Sequence, residues 1–231
     1  MEKPLIGIVL RAETTADDRN CTCLFDTVRR GLQRAGAFLV PIAPVQDINY
    51  YPTRHADWPP LTEDEKTDIE RALDMVGGLF IPGGYKFCEY DRYVLSRAIA
   101  RDMPVLGVCM GMQIMSCHGE EDVSLAPVPN LERHCNRVDA YAHRVRIAPD
   151  SMLARIVGAT DIPVNSWHTR CVSENATYRS VAWSDDGVIE ALELPGARFN
   201  LGVQWHPEAL YGQDEFATRL LDAFLAEAAK A

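Results

Sequence analysis

The chain has no apolar run near the ~18 residues of a membrane span, no block of five or more basic residues, no C-x-x-C pair, no internal repeat and no low-complexity linker. The first absence argues against a membrane partner. The second, with 23 Lys plus Arg against 33 Asp plus Glu and a net charge of −10, argues against nucleic acid, because phosphate binding needs cationic side chains gathered on one face. The run Leu5 to Leu10 is too short for a signal h-region and lacks a small-residue cleavage site, so the cytoplasm is the expected compartment. Seven scattered cysteines make a poor disulfide framework and suit a reducing environment, where most are expected to act as small buried hydrophobes.

What is present is an ordinary globular balance, 47% apolar and 24% charged over 231 residues, read as one domain spanning 1–231. Pro4 to Leu10 reads as a buried strand, Leu24, Val28, Leu32 and Ala35 recur at helical spacing before Gly36, and Phe38 to Ile42 reads as the next strand. That order is the βαβ signature of a parallel sheet. Pro44 to Pro60 reads as a long surface loop. Thr62 and Glu65 form a T-x-x-E capping box, followed by a strand Gly78 to Ile81, a helix Arg92 to Ala100 and a strand Pro104 to Val108. The C-terminal half predicts strands at His143 to Ile147, Ile162 to Val164, Val181 to Trp183, Val188 to Leu194 and Leu201 to Trp205, then a closing helix from about Asp214 to Ala229.

Three motifs fall at predicted strand ends. Gly107-Val108-Cys109-Met110-Gly111 is the cysteine form of a nucleophile elbow, in which a tight strand-to-helix turn lifts the side chain above the sheet and the helix dipole favours the thiolate. A buried structural cysteine between packing glycines is the other reading of that motif alone. Gln204-Trp205-His206-Pro207-Glu208 supplies an imidazole to act as general base and a carboxylate to fix its tautomer. Pro82-Gly83-Gly84 can turn a backbone N–H toward an oxyanion, with the N–H of Met110 as second donor. Open α/β sheets bind ligands beyond the carboxyl ends of their strands, so these motifs are expected to share one crevice.

With these residues in place, the sequence resembles a class I glutamine amidotransferase domain over nearly its whole length. Asn165-Ser166-Trp167-His168 and Ser184-Asp185-Asp186-Gly187-Val188-Ile189-Glu190-Ala191 make it most similar to the γ-glutamyl-γ-aminobutyrate hydrolase group. The resemblance implies a flavodoxin-like, mostly parallel sheet with helices on both faces, plus a small antiparallel strand region in the C-terminal half. It implies a catalytic triad of Cys109, His206 and Glu208, an oxyanion hole at Gly84 and Met110, and Gly83, Gln113 and His168 toward the γ-glutamyl part. For His168 a hydrogen-bonded structural histidine is the other reading. The implied reaction is hydrolysis of a small γ-glutamyl amide or glutamine through a glutamyl-thioester, without a cofactor.

The alternative is a glutaminase subunit delivering ammonia to a separate synthetase. A non-catalytic binding protein would be marked by loss of a triad member, and all three are present. A dienelactone-hydrolase-like enzyme needs Asp before His rather than His-Pro-Glu. A homodimer is compatible with the sequence. Two loops depart from the family pattern, Tyr85 to Asp91 by being short and Cys117 to Asp122 by lacking glycine pairs. No metal is expected, because Cys117-His118 and His134-Cys135 lack the paired spacing of zinc sites. An arginine is expected to bind the substrate α-carboxylate, with Arg92, Arg133, Arg137 and Arg170 all open.

Overall fold

A computed structural model describes residues 2–46, 59–86, 88–119, 125–136 and 138–230. Most of the long loop read over Pro44 to Pro60, and residues 120–122 of the stretch after the elbow, lie outside them. One nine-stranded sheet organises the described residues. In spatial order its strands are Asp161–Val164, His143–Ile147, Arg179–Ser184, Ile189–Glu193, Asn200–Val203, Val105–Val108, Gly78–Ile81, Leu5–Val9 and Phe38–Ile42. The last five run parallel to one another, whereas the first four join by antiparallel pairing. The antiparallel region expected in the C-terminal half is therefore an extension of the main sheet, because Ile189–Glu193 pairs directly with Asn200–Val203.

The parallel strands are apolar on both faces, as sheets with helices on each side require. Ile6, Ile8, Phe80, Leu106 and Val108 face one core, covered by the helices Asp26–Arg34, Met152–Val157 and Glu215–Ala228. Val9, Leu79, Ile81 and Val105 face the other, covered by Glu63–Asp74, Glu89–Ala100 and Met110–Ser116. Full burial of each such side chain contributes roughly 1.5–3 kcal/mol before chain entropy is subtracted.

Local signals set several boundaries. Thr62 N–H donates to Glu65 Oε2 at 2.7 Å, and the Glu65 N–H donates to Thr62 Oγ1 at 3.3 Å, so the capping box is complete. The third helix begins at Glu89, a turn before the predicted Arg92, because Asp91 accepts the Cys88 N–H at 2.8 Å and caps the chain there. The hairpin Arg11–Thr14 with Asn20–Cys23 has too little apolar alternation to announce itself in the sequence.

Candidate active site

The register of three adjacent parallel strands explains why the three motifs meet. Ile81 pairs with Gly107, and Val108 pairs with Val203, so the strands end level with one another. Beyond those ends lie Gly83 and Gly84, then Cys109, then His206. A Cβ placed on Gly83 would stand 3.1 Å from His206 Cε1 and 3.3 Å from Cys109 Cβ, which puts all three in one crevice.

Cys109 caps the helix Met110–Ser116 with φ 54° and ψ −108°, a conformation that L side chains rarely adopt. Such strain persists only where the surroundings over-determine it, and here they do. The Cys109 N–H donates to Val203 O at 2.8 Å, while a Cβ on Gly111 would lie 2.0 Å from Ile81 O. Strand and helix are thereby held too close for any larger residue at Gly111. Met110 occupies the first helical position, where the backbone N–H has no intrahelical acceptor, and it lines the same cavity as Gly84.

His206 is buried, with Nδ1 at 2.8 Å from Glu208 Oε1, and its ring stands close enough to Cys109 for the two to be electrostatically coupled. Burial alone would lower the His206 pKa, but the charges of Glu208 and Cys109 outweigh it and push the imidazole up to about 10. Glu208 is itself 2% exposed, and its Oε2 has no hydrogen-bond partner among the described residues. A buried carboxylate with so little other compensation binds its imidazolium partner strongly.

Residues outside the three motifs hold this pair in place. Asn165 Oδ1 accepts the His206 N–H at 2.8 Å and its Nδ2 donates to His206 O at 2.9 Å. The Trp167 ring lies 4.6 Å from the His206 ring, centroid to centroid. On the other side, the helix Asp26–Arg34 packs so closely that a Cβ on Gly31 would lie 2.1 Å from Glu208 O. The sequence pattern flagged Asn165 and Trp167 only as part of a stretch. Nothing in it linked Gly31 to Glu208.

Two lobes open from Cys109. One, of about 220 Å³, is walled by Phe25, Thr27, Val28 and Glu208. The other, of about 480 Å³, is walled by Met110, Gln113, His168 and Arg170. Gly84, Tyr85 and Trp167 border both. Gln113 Nε2 donates to Arg170 O and to Gln204 Oε1, each at 3.2 Å, leaving its Oε1 as an acceptor. His168 lines the larger lobe, yet its Nδ1 lies 2.9 Å from Arg170 O and its Nε2 lies 3.2 Å from His134 Nδ1, so both ring nitrogens already have protein partners. Of the four open arginines, Arg170 lines the lobe. Arg133 pairs with Asp185 at 3.1 Å, Arg92 stands 4.0 Å from Glu89, and Arg137 lies outside the described residues.

The geometry matches a family description. The Peptidase C26 model matches residues 88–208, a span from the N-cap of the helix Glu89–Ala100 to Glu208 that covers just over half of the chain. The chain belongs to the Peptidase C26 family. As a Peptidase C26 member it is 30% identical over 146 residues to the protein NtpR of Enterococcus hirae, covering 60% of this chain and 61% of that one. It is 25% identical over 185 residues to the γ-glutamyl-γ-aminobutyrate hydrolase PuuD of Escherichia coli, covering 66% and 71%. The chain spans about two fifths to three fifths of the length of the first curated relatives it matches.

The glutaminase domain of the Trypanosoma brucei CTPS, solved with bound acivicin, superposes with a TM-score of 0.67 at 18% identity, over 99% of this chain and 94% of that one. The fold of this C26 chain is that of the class I glutamine amidotransferase domains. No helix among the described residues is long and apolar enough to cross a membrane.

Behind the Gly84 turn, the C26 chain buries an ion pair. Arg11 and Asp91 are each 1% exposed and bonded to one another. A Cβ on Gly84 would lie 2.7 Å from Arg11 Cδ. Other thiols are disfavoured as thiolates: burial, then Asp91, pushes Cys88 up to about 12, and burial raises Cys23 and Cys171.

Proposed function

We propose that the chain is a cysteine-nucleophile hydrolase of γ-glutamyl amide bonds, with Cys109 as nucleophile, His206 as acid and base, and Glu208 as the orienting carboxylate. The observation that carries this reading is the strained elbow cysteine sharing one crevice with an imidazole that is itself bonded to a buried carboxylate. His206 takes the Cys109 thiol proton, and the raised His206 pKa holds that proton on the imidazole for the leaving amine. The Cys109 Sγ attacks the γ-carbonyl carbon, and the N–H groups of Gly84 and Met110 receive the oxyanion. His206 then protonates the leaving amine, the C–N bond breaks, and a glutamyl-thioester remains. Water attacks it, giving its proton to His206, and glutamate leaves as the thiolate returns.

The two lobes divide the substrate between them. The larger, with Gln113 Oε1 and Arg170, suits the α-amino and α-carboxylate groups of the glutamyl part, and Gly83 lines the smaller lobe beside Cys109. The smaller, walled by Phe25 and Val28, suits the amine side. The likeness to PuuD supports a γ-glutamyl amine as substrate. The likeness to a glutaminase domain supports the second reading, ammonia delivery to a synthetase. Assaying glutamate and amine release from γ-glutamyl amines and glutamine, for wild type and Cys109→Ala, tests both. Release that depends on Cys109 is expected. No release from any substrate, or equal release by the variant, overturns the hydrolase, whereas activity on glutamine that appears only with a co-purifying synthetase favours the second reading.

A further inference from the structure

Beside the active site, four buried side chains converge on one small space. His134, His143, His168 and Glu190 come from four separate segments, and one ligand atom of each lies within 4.8 Å of all the others. His134 Nδ1 is 3.2 Å from His168 Nε2 and 3.3 Å from Glu190 Oε1. His143 Nε2 and His168 Nε2 are each 3.6 Å from the same Oε1. Despite these distances, His143 Nε2 and both oxygens of Glu190 lack hydrogen-bond geometry to any group. Only His134 Nδ1 and His168 Nε2 meet hydrogen-bond geometry with one another, which needs a hydrogen on one of them; the remaining inner atoms aim at a shared centre.

The opposite nitrogen of each ring reinforces the point. His168 Nδ1 faces Arg170 O at 2.9 Å, His143 Nδ1 faces Arg144 O at 3.2 Å, and His134 Nε2 faces the Asp186 carboxylate at 3.1 Å. A carbonyl or carboxylate oxygen can only accept, so each outer nitrogen carries the hydrogen and each inner nitrogen of a neutral ring presents a lone pair. Three lone pairs and one carboxylate oxygen thus meet in a space with no exposed surface. Tetrahedral zinc, with bonds of about 2.0–2.1 Å, places its ligands roughly 3.4 Å apart. The four contacts of 3.2, 3.3, 3.6 and 3.6 Å lie on either side of that value.

We propose that His134, His143, His168 and Glu190 form a closed, four-ligand site for one divalent transition-metal ion, zinc by its imidazole and carboxylate donors. With no open position the ion is structural. It joins the strands His143–Ile147 and Ile189–Glu193 to the segment that carries Asn165 and Trp167, and so braces the two residues that grip His206. Paired spacing does not mark the site, because its ligands lie far apart along the chain.

The test uses the untagged full chain. Elemental analysis is expected to find about one zinc per chain, removable by a chelator with a fall in melting temperature that added zinc reverses. Cobalt substitution is expected to give the intense visible bands of tetrahedral coordination. His143→Ala and Glu190→Gln are expected to lose the ion, Asp186→Ala to bind it about 10- to 100-fold more weakly, and Cys109→Ala to keep it, which separates the site from the proposed chemistry. Wild type that binds no zinc at micromolar concentration is an imidazolium–carboxylate cluster, and that overturns the proposal. Equal binding by the variants, or an octahedral cobalt spectrum, does so too; if a variant fails to fold, the wild-type stoichiometry and spectrum decide.

Discussion

Asn165 clasps His206 by both of its backbone groups, accepting from the N–H at 2.8 Å and donating to the carbonyl at 2.9 Å. The imidazole is therefore held from its main chain as well as from Glu208, and the residue that does so is 2% exposed. Asn165→Ala is expected to lower turnover about 100-fold, the scale for a small displacement of a catalytic group, with a smaller change in KM. Leaving two buried backbone groups unpaired also costs about 1–3 kcal/mol each. Turnover equal to wild type in a folded variant refutes the clasp.

Thiol reactivity should single out Cys109. A thiol-directed glutamine analogue at neutral pH is expected to label Cys109 before Cys88, whose pKa is pushed up to about 12 by burial and Asp91. Peptide mapping reads the site of modification, and Cys109→Ser is expected to abolish rapid labelling. Uniform labelling of the seven cysteines contradicts an activated thiolate.

The proton on His206 has a calculable signature. Its folded pKa of about 10 lies above the ordinary 6.5, so its contribution to stability is complete below about pH 6.5 and fades as pH rises through 10. The Glu208→Gln variant removes the charge that raises it. The stability gap between wild type and that variant is expected to be largest near neutrality or below and to narrow toward pH 10, measured by denaturant unfolding across pH. A gap that widens with rising pH has the wrong sign for this assignment.

Gly31 offers a remote handle on Glu208. Because a Cβ there meets Glu208 O at 2.1 Å, Gly31→Ala must push the helix Asp26–Arg34 away from the carboxylate segment. Overpacking of this kind costs about 1–3 kcal/mol, and turnover is expected to fall by more than stability alone explains. Melting temperature and turnover measured together check this; a variant unchanged in both shows that the helix is not tightly seated.

Elements written in local chemistry were legible from residue order alone. The Thr62 to Glu65 cap, the strand His143–Ile147 and the Cys109 elbow each depend on neighbours within a few positions, so spacing and residue type were enough. The start of the third helix was misplaced by a turn because Asp91, which caps it from the third helical position, looked like the end of the preceding loop. Tyr90 adds a bond from its OH to Leu10 O at 2.6 Å, a contact between segments that no window on the sequence spans.

Apolar strand runs, punctuated by Gly and Pro, were sufficient to dictate an α/β chain with the Cys109, His206 and Gly84 motifs at the strand ends, since burial and turn geometry act over short distances. Which strands became neighbours was a matter of long-range register. That register set Cys109 beside His206, added the C-terminal strands to the main sheet, closed Asn165 around the imidazole, and gathered His134, His143, His168 and Glu190 in one buried place. Such groupings arise only when the whole chain packs, because buried polar atoms find their partners through the sheet rather than along the sequence.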